Sequence, residues 1–272
     1  MTYTLLGVFA HPDDEGSCGG TLAKYAAEGH RAYVACATRG DGVDAKIMDP
    51  ALATRETLGQ VRSEELACAC ATLGVEPPVF LGHQDGEVDQ VPVETGARGV
   101  ARLIREVRAN VVVTHGPDGG YGHPDHIAVS ALVTRGFALA GDPAAEVAGA
   151  PFAPAKLYYI AIPRSFMEQV PAFRSRRADI RGQQLGFVGV PDEAITTVVP
   201  IAEQMDRKLE ALSCHRTQFE FDPQTGRPKF FVTSVPEPQR SQLFGFERFV
   251  LAHSRGARNG VEEDLFAGLG QL

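Results

Sequence analysis

The 272-residue sequence has no long run of basic residues, and its net charge is −8. It therefore offers no electrostatic footprint for a nucleic-acid partner. The one basic cluster, Arg174-Ser175-Arg176-Arg177, is short and reads as a solvated face. No apolar run approaches the length of a membrane span, so no membrane partner is expected. A secretory signal pattern is also missing: the apolar stretch 5–10 lacks a basic flank and runs straight into His11-Pro12-Asp13-Asp14-Glu15. A cytoplasmic location is the expectation. Cysteine is scarce and odd in number, at Cys18, Cys36, Cys68, Cys70 and Cys214, with no Cys-x-x-Cys pair. Cys68 and Cys70 lie two apart on a predicted helix and face different ways, so five reduced, buried thiols are expected. Internal repeats and strong linkers are lacking too. One domain over 1–272 is expected, with an α/β core over 1–140 and a loop-rich part over 141–272 that completes the sheet and the pocket rim.

What is present is ordinary in bulk, 44% hydrophobic and 22% charged, which is enough for a sizeable core. Short, apolar, β-branched runs at 4–9, 32–38, 78–81 and 111–114 read as buried parallel strands. Helical patterns alternate with them at 20–28, 54–73, 95–107 and 124–140. Thr54 is the candidate cap of the second, and Gly74 its terminator. This alternation predicts an α/β, Rossmann-like fold: a mostly parallel sheet with helices on both faces and C-terminal additions. The stretch 141–154, rich in Ala, Gly and Pro, reads as a surface loop. Strands are expected at 156–162, 194–201 and 246–252, and a helix at 202–212. From Ser254 onward there is no strong pattern until Asp264-Leu265-Phe266-Ala267, so a partly mobile tail is expected.

Two phrases concentrate imidazoles and carboxylates: Ala10-His11-Pro12-Asp13-Asp14-Glu15 and Gly122-His123-Pro124-Asp125-His126. Each follows a predicted buried strand and precedes a helix, so both fall at the carboxyl edge of the sheet, where open parallel sheets bind ligands. His11 and Asp14 are three apart, as are His123 and His126, so each pair can converge. A catalytic zinc takes three N/O ligands and keeps one position open. More than three candidates are present, so some must do other work. The economical assignment gives His11, Asp14 and His126 to the metal and leaves Asp13 as the adjacent general base. His123 then faces the developing oxyanion, a role open to Tyr121 as well. The glycines at 116, 119, 120 and 122 allow close approach to a substrate. Alone, Asp13-Asp14 reads equally well as a helix cap. His30, His83, His115 and His253 read as structural.

Together these phrases resemble the signatures of the PIG-L/LmbE-like zinc de-N-acetylases. Further similarity lies in Thr38-Arg39-Gly40-Asp41-Gly42, in Arg62-Ser63-Glu64-Glu65-Leu66 with Leu73-Gly74, and in Leu81-Gly82 with Asp85-Gly86. Lys208, Ala211, His215, Thr217 and Gln218 resemble the family's C-terminal pattern. The resemblance implies a zinc-dependent hydrolase that removes acetyl from an N-acetylglucosamine-type sugar or conjugate. It implies one zinc per chain on His11, Asp14 and His126, with Fe2+ as a possible substitute. Asp13 is implied as the base, and His123 with Tyr121 as oxyanion donors. Arg62 and Asp85 are implied as sugar contacts; from the residues alone, Arg62 also reads as a helix-face ion pair with Glu56 or Glu65, and Asp85 as a turn residue. Lys208 and His215 either support the fold or line the site.

Rival readings use the same residues. Two His and one carboxylate also suit non-haem iron. Gly40-Asp41-Gly42-Val43-Asp44-Ala45 formally matches a dinucleotide fingerprint, but it follows the second strand, and Pro50 interrupts any helix opened there. A zinc amidase acting on a larger amide, or a non-catalytic zinc-containing sugar-binding protein, would keep the same site. The expected partner is a small acetamido sugar or glycoconjugate. No apolar segments mark a homo-oligomer interface.

Overall fold

Six consecutive buried residues form β1 (Thr4–Phe9), and four more form β4 (Val111–Thr114). The two strands lie side by side and parallel, with Leu5 opposite Val111. Burial on both faces explains why these runs are apolar throughout rather than alternating. The computed structural model of the chain describes residues 1–230, 235, 239–256 and 260–271. Parallel β2 (Arg31–Cys36) and β3 (Val79–Phe80) extend the sheet on one side, and β5 (Lys156–Ile160) on the other. The sheet order is β3-β2-β1-β4-β5-β9-β8, where β8 (Thr197–Pro200) and β9 (Phe246–Ser254) are antiparallel additions. The mostly parallel sheet with helices is the expected fold class. Strand order reverses between β1 and β4, the switch point where a crevice opens at the carboxyl edge.

One face of the sheet carries α1 (Gly19–Ala27) and α2 (Leu58–Leu73), with Leu22, Leu66 and Leu73 buried among β1 and β2 side chains. The other carries α3 (Val93–Val107), whose Val100 and Ile104 pack with Leu6, Val8 and Val112. Gly74 ends α2 at φ +76°, and its N–H returns to the carbonyls of Ala71 and Cys70, the termination read from sequence. The start differs: Thr57, not Thr54, precedes the first helical residue, and the Thr54 N–H donates to Thr57 Oγ1. A short turn, α4 (Gly119–Gly122), leads into α5 (Pro124–Gly141). Pro124 opens α5 where a missing N–H costs nothing, and His123 caps it by accepting the Asp125 N–H. Among the described residues, no helix is long and apolar enough to cross a membrane.

After β5 come α6 (Arg164–Gln169), α7 (Pro171–Ser175) and a hairpin of β6 (Arg177–Ile180) and β7 (Gln183–Gly186), none of which the sequence patterns announced. Next comes α8 (Met205–Leu212), and α9 (Gln239–Phe244) precedes β9. The expected mobile tail is overturned for residues 260–271. Leu265 and Phe266 are buried, and the Tyr25 hydroxyl donates to Asp264 and accepts the Leu265 N–H. Residues 257–259 and 272 of that tail lie outside the described residues.

The expectation of five reduced thiols is also overturned. Cys68, exposed on α2, is disulfide-bonded to Cys214 just beyond α8, across 146 residues. Such a pairing depends on tertiary approach, which residue spacing does not reveal. Cys18, Cys36 and Cys70 remain free and buried. Cys68→Ser should lower unfolding free energy by about 2–4 kcal/mol, read as a lower denaturant midpoint. A midpoint unchanged both in this variant and on adding reductant would show that the link does not form in solution.

Candidate active site

The loop after β1 folds back on itself through its own carboxylates. Asp14 Oδ2 accepts the His11 N–H at 2.8 Å, and the Asp13 carbonyl accepts the Gly16 N–H. Asp13 sits at φ +101°, a left-handed backbone that costs a non-glycine residue about 1–3 kcal/mol. Strain of this kind concentrates where a side chain must be aimed, and here it aims the Asp13 carboxylate at the crevice. Arg62, buried on α2, lies behind it with Nη2 at 3.4 Å from Asp13 Oδ2. The same guanidinium donates to the carbonyls of Gly40 and Pro12. A side chain at Gly40 would collide with it, which together with φ +69° explains the glycine. The ion pair of Arg62 is thus with Asp13, not with Glu56 or Glu65.

The loop after β1 and the first turn of α5 bring His11, Asp14 and His126 together. His126 Nε2 is 3.3 Å from His11 Nδ1 and 3.4 Å from Asp14 Oδ1, and His11 Nδ1 is 3.5 Å from Asp14 Oδ2. Ligands about 2.0–2.1 Å from one tetrahedral centre stand about 3.3–3.4 Å apart; the two ring nitrogens have that spacing, and each has an oxygen of Asp14 within 3.5 Å, so the group can close on a zinc-sized cation. The remaining ring nitrogens are engaged as metal-bound imidazoles require. His11 Nε2 is 2.8 Å from Asp85 Oδ1, and His126 Nδ1 is 3.2 Å from the Gly119 carbonyl. Gly119 is confined to glycine by φ +65° and by the close approach of Ile127. A second group, His11, His123 and Asp125, is also close enough to share an ion. Its donors are already committed: Asp125 accepts N–H bonds from Gly86 and Val88, and His123 Nδ1 accepts from Asp125 N.

Electrostatics favour positive charge at the same point. Burial opposes a charged His11, yet Asp125, Asp14 and Asp85 hold its pKa well above the ordinary value. Burial opposes an ionised Asp14, yet His126 and His115 hold it well below the carboxylate range. Burial pushes Asp13 up to about 6 against the pull of Arg62. Burial foremost, then the neighbouring His11, pushes His123 down to about 4, so it is a neutral imidazole at neutral pH. Burial, with Asp14 and Asp13, keeps the Tyr121 hydroxyl protonated.

Several residues make contacts that sequence spacing does not reveal. Asp85, expected against a sugar, lines the crevice and has Oδ1 on His11 and Oδ2 accepting the Gly42 N–H at 2.6 Å. That contact also binds Gly42 into the site wall, not into a phosphate cradle. His115 is no remote core histidine: Nε2 accepts the Ala10 N–H, lies 3.4 Å from Asp14, and its ring stacks on His126 at 4.0 Å. Asp125 was missed as a functional residue, although it sits inside the second phrase. Lys208 pairs with Glu247 at 2.6 Å, and Glu247 accepts the Gly20 and Thr21 N–H groups at the start of α1.

A cavity of about 790 Å³ is lined by His11, Asp13, Arg62, Asp85, Tyr121 and His123. Arg176 and Arg177, exposed as expected of a solvated face, also edge this cavity. A smaller, more apolar cavity of about 310 Å³ shares Asp13, Asp14 and Tyr121 and is walled by Phe166, Phe173 and Phe187.

The fold has counterparts among known proteins. The structure of the conserved protein TT1542 from Thermus thermophilus superposes with a TM-score of 0.63 at 26% identity, covering 93% of this chain and 96% of that one. N,N'-diacetylchitobiose deacetylase from Pyrococcus horikoshii shares the fold with a TM-score of 0.59 at 20% identity, over 80% of this chain and 71% of that one. The GlcNAc-PI de-N-acetylase (PIG-L) family model matches residues 6–137. A 1D-myo-inositol 2-acetamido-2-deoxy-alpha-D-glucopyranoside deacetylase from Thermomonospora curvata is 39% identical over 97% of this chain and 96% of its own length. With its Rossmann-like sheet, its paired His-Pro-Asp phrases and that full-length similarity, the chain belongs to the PIG-L family of de-N-acetylases.

Proposed function

We propose that this enzyme hydrolyses the acetamide of an inositol-linked 2-acetamido-2-deoxyglucopyranoside, releasing acetate and the free amine, with zinc on His11, Asp14 and His126. The observation that supports it most is an N,N,O donor set gathered within 4.8 Å, with a carboxylate, Asp13, beside it and outside it. The inositol conjugate is taken from the substrate in the name of the Thermomonospora curvata relative.

Zinc, when bound, lowers the pKa of a water to about 7 and polarises the amide carbonyl. Asp13 takes the proton of the attacking water as general base. The strained backbone and Arg62 keep its carboxylate turned into the cavity. His123 Nδ1 accepts the Asp125 N–H, so the proton of its neutral ring is on Nε2, available to the developing oxyanion. Tyr121, protonated and packed against His126 and His123, is a second donor. Asp13 then returns the proton to the leaving nitrogen. Asp85 and the Gly119 carbonyl orient the two ligand imidazoles.

Acetate release by metal-loaded protein tests this reading on the inositol conjugate, free N-acetylglucosamine and N,N'-diacetylchitobiose. The conjugate should give the highest kcat/KM, and release should stop on chelation. No release from any of the three would refute the assignment.

A further inference from the structure

Glu15 closes the first motif, yet no step above uses it. The Asp13 N–H donates to Glu15 Oε2 at 2.9 Å, and Glu15 Oε1 lies 2.6 Å from His215 Nε2. Both side chains are almost fully buried, at 1% and 0% exposure, and neither lines a cavity at the site. Substrate contact is therefore not their role. Stability alone gives little reason to bury such a pair, since apolar residues of the same volume are often as stable.

What the pair does touch is the strained residue. Asp13 at φ +101° has its N–H directed at the Glu15 carboxylate. His215 is itself held on both sides. The preceding Cys214 is tied to α2 through Cys68, and Thr217 donates twice, at 2.7 Å each, to Glu65 on α2. Arg62, one turn before Glu65, holds the Asp13 carboxylate. Both ends of Asp13 are thus referenced to one helix: the side chain through Arg62, the backbone through Glu15, His215 and the segment 214–217.

We propose that Glu15, backed by His215, is a positioning residue that fixes the backbone conformation presenting Asp13 to the attacking water. This rests on Asp13 being the general base. Burial lowers the His215 pKa, yet Glu15 and Asp13 together leave it above the ordinary value.

The test is a double-mutant cycle on metal-loaded protein. Glu15→Ala should lower kcat by about 100-fold, the scale of a misplacement of about 1 Å, with KM and metal content unchanged. In an Asp13→Ala background it should cost nothing further. Glu15→Gln, whose side-chain oxygen still accepts the Asp13 N–H, should recover most of the turnover. Wild-type kcat in Glu15→Ala, loss of metal with it, or a loss that adds in full to that of Asp13→Ala overturns the proposal. An active Asp13→Ala enzyme would instead overturn the reading of Asp13 beneath it. Should Glu15→Ala not fold, His215→Leu against His215→Gln decides. Turnover should fall in the leucine variant and return in glutamine, whose amide still donates to Glu15; equal turnover in the two overturns the proposal.

Discussion

Asp13→Ala should lower turnover by about 10²–10⁴-fold while the protein keeps a full complement of metal. The separation follows from geometry. The three donors that surround the candidate metal position are His11 Nδ1, Asp14 and His126 Nε2, and Asp13 is none of them. Its carboxylate faces Arg62 on one side and the 790 Å³ cavity on the other. Removing it takes away the proton acceptor, keeps a non-glycine residue at φ +101° and leaves the buried Arg62 without its carboxylate, so the variant should also be less stable than wild type. Asp13→Asn sharpens the test, since it keeps the shape and cannot accept a proton. Acetate release and metal analysis on the same preparations read both halves. Turnover near wild type in either variant would move the base elsewhere. Lost metal in both would make Asp13 a ligand.

The parts of this site legible in sequence were those fixed by short-range geometry. Continuous apolar runs gave β1 and β4 with their observed limits. Three-residue spacing gave the His11–Asp14 and His123–His126 pairs, because a turn entering a helix brings such residues together. Gly74 marked the end of α2 because a left-handed terminal residue favours glycine. The parts that stayed hidden depend on long-range approach. His115 follows β4 directly, and only the parallel pairing of β1 with β4 carries it to Asp14. The Cys68–Cys214 link joins residues 146 positions apart. The hairpin of β6 and β7 is too short to announce itself: Arg-Ala-Asp-Ile alternates over four residues only, with Ala178 and Ile180 half-buried, and Gln-Gln-Leu-Gly does not alternate at all. Asp85 shows a different limit. The Leu81-Gly82 and Asp85-Gly86 resemblance placed it at the site, but only coordinates show that its oxygens face His11 and Gly42.

Loss of a metal donor should produce the opposite signature to loss of Asp13. His126→Ala should weaken metal binding by more than the roughly 10–100-fold that removal of an outer-sphere partner costs, and activity should follow metal occupancy. His126 stands between the other two donors, 3.3 Å from His11 and 3.4 Å from Asp14, and its far nitrogen is fixed on the Gly119 carbonyl. Without it two donors remain, too few to hold a cation in a site that also keeps a coordination position open. Asp85→Asn is the calibrating variant. It leaves all three donors in place and disturbs only the orientation and basicity of His11, so its loss of affinity should fall within the roughly 10–100-fold range. Competition with a chelator of known affinity ranks wild type, Asp85→Asn and His126→Ala on one scale. If His126→Ala kept one metal at wild-type affinity, the ion would have to sit instead among His11, His123 and Asp125. Asp125 would then have to give up its bonds from Gly86 and Val88, and His123 would serve as a ligand rather than as an oxyanion donor. The ranking therefore decides the metal position and the role of His123 together.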